Sequence, residues 1–393
     1  MKQFLEGSFA VAEGAKLCKP GVVSAYPITP QTHIVERLAD FVATGSLNAQ
    51  FVNVESEHSA ATVVLGACAA GVRVFTATSS QGLIYMSEVL FNIAGMRFPV
   101  VMVCANRALS APINIWNDQQ DAVSLRDSGW VQVYAENNQE ALDFVLQAYK
   151  LGENPKIMLP IIVNMDGFIL THGMETVDVP ANELVDKFLP PYKAPYKLDV
   201  ENPMSFGLLG DPTVYIETRY ALHKTLEDCL SMIPQVGKEF EATFGRKGLD
   251  LVELYKVEDA KTVIVAMGSV CGTIKDYIDT QREEGKKIGL LRIVSYRPFP
   301  KEKVYEALKK IPKVLVLDKS ISLGSEGPLY TEVKSVFANK KPKVSGFVAG
   351  LGGRDITIET IKDMVDISRK KEVRCEFLGL RPELLKEDFY VGI

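Results

Sequence analysis

From residue 8 to residue 165 the chain alternates short, uninterrupted apolar runs with amphipathic segments, and this alternation restricts the fold more than any other feature. Val22 to Tyr26, Phe51 to Val54, Arg73 to Thr78, Val100 to Ala105, Trp130 to Tyr134 and Ile157 to Val163 read as strands, several without polar alternation. A strand that is apolar on both faces must be covered on both. Between them, Ser8 to Leu17, Pro30 to Val42, Glu57 to Ala70, Leu83 to Ala94 and Gln139 to Leu151 carry apolar residues at helical spacing. The pattern predicts an α/β domain with a mostly parallel sheet, right-handed crossovers and ligands at the carboxyl ends of the strands.

A second alternating unit runs from Thr262 to about Ile367, with strands expected at Val263 to Met267, Ile288 to Arg292, Val314 to Leu317 and Val344 to Val348. Before it, the prolines between Leu184 and Asp211 indicate an extended connector, and helical spacing resumes around Arg219 to Phe244. The expected domains are 1–240, with the Pro-rich connector from about 184 inside it, and 256–393. A chain of 393 residues gives each enough length for its own core.

Charged residues make up 24% and the net charge is -5, so no basic excess marks a nucleic-acid or anionic-membrane partner. No apolar run is long enough to span a bilayer, and a cytoplasmic protein is expected. The six cysteines are scattered singly, which predicts no metal or iron–sulfur cluster in this chain. Cys68 and Cys104 read as small residues in apolar surroundings.

Four strand-to-helix corners carry the chemistry-bearing residues. In the first, Pro27 and Pro30 bracket Ile28 and Thr29 where an apolar run ends, so Thr29 is expected to cap a helix that begins at Pro30. A helix start and a hydroxyl suit a small anion, although the same features occur in ordinary capped helices. The second corner holds Glu55, Glu57 and His58, the third the hydroxyl-rich run ending in Ser80, Gln81 and Gly82, and the fourth a long loop after Arg107. An arginine and a helix start at one sheet edge can hold a carboxylate together.

Five strings then matter jointly: Tyr-Pro-Ile-Thr-Pro-Gln-Thr (26 to 32), Val-Glu-Ser-Glu-His-Ser-Ala (54 to 60), Thr-Ala-Thr-Ser-Ser-Gln-Gly (76 to 82), Asn-Arg-Ala-Leu-Ser-Ala-Pro-Ile-Asn-Ile-Trp-Asn-Asp (106 to 118) and Arg-Asp-Ser-Gly-Trp (126 to 130). In this order they resemble the alpha subunits of the pyruvate:ferredoxin oxidoreductase family, and the likeness extends to Tyr-Arg-Pro-Phe-Pro (296 to 300).

The resemblance implies a pyrimidine-type, thiamine diphosphate-binding parallel-sheet domain followed by a domain of the transketolase C-terminal type, mainly an assembly surface. It implies oxidative decarboxylation of a 2-oxoacid to an acyl-coenzyme A, with electrons passed to ferredoxin. The diphosphate and Mg would be held by a beta subunit and the iron–sulfur clusters by ferredoxin-like gamma and delta subunits; no Gly-Asp-Gly followed by Asn-Asn occurs here.

By resemblance, Glu57 is the carboxyl that shares a proton with the pyrimidine ring nitrogen, and Glu55 is the competing candidate. Thr29 and Arg107 would hold the substrate carboxylate, with Ile28, Ile113 and Trp116 lining the pocket. Asn117 and Asp118 would order water or the second substrate, and Pro27, Ser80 and Gln81 would contact the cofactor. The family often has histidine where Gln119 stands. Pyruvate is the expected substrate; branched or aromatic 2-oxoacids, or a purely supporting subunit, are the alternatives. The Gly350-Leu-Gly-Gly-Arg-Asp355 string lacks the third glycine of a dinucleotide fingerprint and reads as a tight turn.

Overall fold

The computed structural model describes residues 1–337 and 341–385. The first sheet has seven strands, in the order Ser295–Arg297, Val131–Tyr134, Ile161–Asp166, Val101–Asn106, Val74–Thr78, Val22–Ser24 and Gln50–Val52. Every neighbouring pair is parallel except the first. All residues of Val74–Thr78, Val101–Asn106 and Ile161–Asp166 are buried, as central strands between two helical layers must be. On one side Gly7–Leu17 packs on Asn138–Gly152 so closely that a Cβ on Gly14 would lie 3.1 Å from the Leu142 carbonyl oxygen.

The second sheet has six strands, ordered Glu376–Phe377, Lys343–Val348, Lys313–Asp318, Thr262–Ala266, Ile288–Ile293 and Val252–Tyr255, with only the last antiparallel. Several elements depart from the sequence reading. Lys2–Glu6 pairs with Met174–Asp178 in a separate antiparallel ribbon that carries no continuous apolar run. The helix expected over Leu83 to Ala94 is two helices, Ser80–Tyr85 and Ser87–Gly95, broken at Met86. The connector includes a short helix, Asn182–Phe188, before the thirty-residue helix Tyr215–Phe244, which ends on the left-handed Gly245.

Ser295–Arg297 follows the second sheet's strand Ile288–Ile293 in sequence yet pairs with Val131–Tyr134 of the first. Just before this crossing, Arg292 is fully buried and bonded to Glu136, Glu140 and Glu253 and to the carbonyl of Tyr134. Burial works against the charged form of Glu253, but Arg292 and Lys275 outweigh it and draw its carboxyl down to about 2. No helix among the described residues is long and apolar enough to cross a membrane.

Candidate active site

The four corners leave four consecutive strands of the first sheet, Val101–Asn106, Val74–Thr78, Val22–Ser24 and Gln50–Val52. Gln31, fully buried, donates from its side-chain amide to the Ala77 carbonyl at 2.6 Å and ties the first corner to the third. Its backbone N–H closes a turn onto Ile28, and the helix starts at Thr32, not Pro30. Thr29 is therefore not the helix cap. It stands in the turn ahead of the helix, exposed, with its hydroxyl bonded to no described residue.

Arg107 reaches this turn. One terminal nitrogen of its buried guanidinium donates to the Thr29 carbonyl at 2.9 Å, and Nε donates to the Asn114 carbonyl at 2.7 Å. Its remaining terminal nitrogen has no partner among the described residues. Arg107 and Thr29 are thus brought together, with a guanidinium edge and a hydroxyl left to bind. Ile28 is half-buried beside them, whereas Pro27 is exposed.

Glu57 opens the helix Glu57–Ala69, whose true cap is Ser56, accepting from the Ser59 N–H. Its side chain is 9% exposed and makes no hydrogen bond to a described residue. It lies against the third corner: a Cβ on Gly82 would stand 2.6 Å from both Glu57 Oε1 and Thr78 Oγ1. The hydroxyls of Thr78 and Ser79 are buried without a partner. The unpartnered Glu57 carboxyl and the orphaned hydroxyls of Thr78 and Ser79 beside Gly82 are buried polar groups that a ring nitrogen and amine of a bound heteroaromatic cofactor would satisfy. Glu55, the competitor, is exposed and turned back onto the Ser59 hydroxyl, which holds its carboxyl below the usual range. His58 packs beside Tyr85 and Glu88.

Other expected contacts are corrected. The Ser80 hydroxyl is taken by the Ala108 carbonyl and its N–H by Asp121, so Ser80 joins the third and fourth corners instead of facing the cleft. Neighbouring Gln81 is half-buried, with its side-chain amide 2.6 Å from that hydroxyl. Ile113 is 81% exposed at the loop tip and lines no cavity among the described residues, whereas Trp116, about half-exposed, lines a cavity with Phe168, Lys319 and Gly353. The side chain of Asn117 is buried and committed to Asn106, Asp166 and Lys319. Asp118 accepts from the N–H groups of Gln120 and Gly352, and burial raises its carboxyl to about 6. Gln119 bonds Asp166 and Met267. Cys104 touches the Asp121 carboxylate at 3.5 Å, a more polar setting than expected.

The sequence reading missed Asp121, Asp166 and Lys319. Fully buried Asp121 accepts the backbone N–H groups of Ser80 and Arg107 and the Asn106 amide, fastening two corners to one carboxylate. At Asp166, burial pushes upward, but the ammonium of Lys319 at 3.0 Å and the Ser269 hydrogen bonds hold the carboxyl low. An isolated acid near the end of a strand carries no signal of such a role in sequence.

A parallel α/β domain with these corners at the carboxyl ends of its strands, joined to a second α/β domain, is the architecture on which the comparisons with known proteins fall. A family profile described as pyruvate flavodoxin/ferredoxin oxidoreductase, thiamine diphosphate-binding, matches residues 13–238, and one described as pyruvate:ferredoxin oxidoreductase core domain II matches 260–361. The chain belongs to the pyruvate:ferredoxin oxidoreductase family. It is 49% identical over 390 residues to the pyruvate synthase subunit PorA of Methanosarcina barkeri, covering 97% of both chains. It is 45% identical to the ketoisovalerate oxidoreductase subunit VorA of Pyrococcus horikoshii, covering 94% of both. Among solved structures, the 2-oxoglutarate:ferredoxin oxidoreductase of Magnetococcus marinus, with 2-oxoglutarate, coenzyme A and succinyl-CoA bound, shares the fold at a TM-score of 0.71 and 22% identity; 93% of this chain matches 65% of that one.

Proposed function

We propose that this chain is the alpha subunit of a pyruvate:ferredoxin oxidoreductase, in which it holds the 2-oxoacid and the pyrimidine end of thiamine diphosphate. Pyruvate and coenzyme A become acetyl-CoA and carbon dioxide, and two electrons pass to ferredoxin. Thiamine diphosphate, when bound, supplies the electron sink for the decarboxylation. Glu57 holds a proton at its carboxylate for the ring nitrogen. Arg107 and Thr29 bind the substrate carboxylate and fix the orientation of the keto group.

The observation that carries the reading is the convergence of Arg107 on Thr29 beside the Glu57–Gly82 corner. The four corner segments contain one arginine and no lysine, which suits a substrate with a single carboxylate. The diphosphate and Mg belong to a beta subunit and the iron–sulfur clusters to gamma and delta subunits, in a cytoplasmic complex. The likeness to a ketoisovalerate oxidoreductase subunit favours a branched 2-oxoacid as the second reading. Turnover of the reconstituted complex on pyruvate, 2-oxoisovalerate and 2-oxoglutarate tests both. Pyruvate is expected to give the highest kcat/KM, and a higher value for either competitor overturns the assignment.

A further inference from the structure

The loop from Arg107 to Trp116 contains no helix or strand, so its shape depends on what it is bonded to. Its grip comes largely from the second domain. The Asn114 side-chain amide donates to the Gly352 carbonyl at 3.1 Å, and the Gly352 N–H donates to Asp118 at 3.1 Å, so this one residue of the turn engages the loop at Asn114 and the segment just after it at Asp118. Gly352 and Gly353 have φ of +62° and +82°. A Cβ on Gly352 would lie 2.6 Å from the Asn114 amide nitrogen, and one on Gly353 would lie 2.3 Å from Trp116 Cβ. Only glycine meets both demands. At the base of the loop, the Gln119 N–H donates to the Lys319 carbonyl at 2.8 Å, and the Lys319 ammonium is bonded to Asn117.

The loop residue that this turn holds through its side chain is the one whose backbone carbonyl accepts from Arg107 Nε. A continuous hydrogen-bonded path therefore runs from the Gly352 carbonyl through Asn114 and the Arg107 guanidinium to Thr29. An arginine side chain has several rotatable bonds, and a guanidinium fixed from two sides meets a carboxylate with less ordering cost.

We propose that the second domain sets the position of the substrate-binding arginine through the Gly350–Gly353 turn, with Asn114 and Gly352 as positioning residues for 2-oxoacid binding. This rests on the reading of Arg107 given above. The effect falls on binding of the acid, because neither residue touches the Glu57 corner.

The test is steady-state kinetics of the assembled enzyme with pyruvate, for Asn114→Ala, Asn114→Asp, Gly352→Ala and Arg107→Ala. Asn114→Ala keeps the backbone carbonyl that Arg107 uses but cuts the tie to Gly352. It is expected to raise KM for pyruvate about 5- to 30-fold, with kcat within about twofold and thiamine diphosphate affinity unchanged. Asn114→Asp retains an acceptor for the Trp116 N–H but loses the donor to Gly352, so it should behave like the alanine variant. Recovery of native KM by aspartate would show a merely local role and overturn the proposal. An unchanged KM in Asn114→Ala overturns it equally, whether or not Gly352→Ala folds. If Arg107→Ala itself leaves KM unchanged, the reading of the site fails; if Arg107→Ala raises KM and Asn114→Ala does not, only the positioning role fails.

Discussion

A terminal nitrogen of Arg107 lies 2.9 Å from the carbonyl oxygen of Thr29, although 78 residues separate them in sequence. The contact joins the ends of two strands that are not neighbours, because Val74–Thr78 lies between Val22–Ser24 and Val101–Asn106. With Nε bonded to Asn114, it leaves one terminal nitrogen of the guanidinium without a partner among the described residues. Arg107→Lys keeps the charge but not the fork, and it is expected to lower kcat/KM for pyruvate about 10- to 100-fold, chiefly through KM. Steady-state assays of the assembled complex read this directly; wild-type KM in the lysine variant would remove Arg107 from substrate binding.

Glu57→Gln removes the proton carrier while preserving shape. A loss in kcat of about 10²- to 10⁴-fold is expected, with thiamine diphosphate affinity nearly retained. Gly82→Ala places a methyl against Glu57 Oε1 and should reproduce part of that loss by displacing the carboxyl instead of replacing it. Turnover paired with cofactor titration separates the two effects, and a fully active Glu57→Gln complex would leave only a supporting role for this chain.

Arg292→Met strands three carboxylates around a buried position and is expected to destabilise the protein by about 3–5 kcal/mol in chemical denaturation. The pH dependence has a definite sign. Glu253 is held at about 2, below its unfolded value, so its contribution is present above the ordinary carboxylate range and is lost as pH falls through about 2. The variant should show a flatter acid limb, and parallel limbs would mean that Arg292 does not hold Glu253 down.

Asp318 behaves oppositely. Burial raises its carboxyl to about 7, although it accepts the N–H groups of Leu329 and Tyr330. Its folded value exceeds the unfolded one, so the associated stability is complete in acid and is lost as pH rises from about 4 through 7. Asp318→Asn forfeits one N–H acceptor and should be less stable at pH 5 by about 1–3 kcal/mol, with the gap narrowing toward pH 8. Unfolding curves across that range check it; a constant gap would place the titration elsewhere.

The strands of the first sheet were legible because continuous apolar runs such as Val101 to Ala105 leave no other placement. Glu57, Arg107 and Thr29 were legible as candidates because each stands at a corner where the chain turns from strand to helix. The helix start was misplaced because Gln31 turns its side chain inward to Ala77 and its N–H back to Ile28, a choice fixed by a strand distant in sequence. Ser80 and Asn117 looked like contacts, yet both are consumed by partners far along the chain, Ala108 for one and Lys319 for the other. Nothing near position 350 signals that a glycine turn there will seat on Asn114.

The strand Ser295–Arg297 completes the edge of a sheet whose other members all come from before residue 167. A gene severed near residue 255 would therefore release a fragment whose Val131–Tyr134 strand presents bare backbone donors and acceptors to any passing chain, with Glu136 and Glu140 deprived of their cation. The two halves are interlocked at the level of hydrogen-bonded backbone, and neither is a module that could be exchanged on its own.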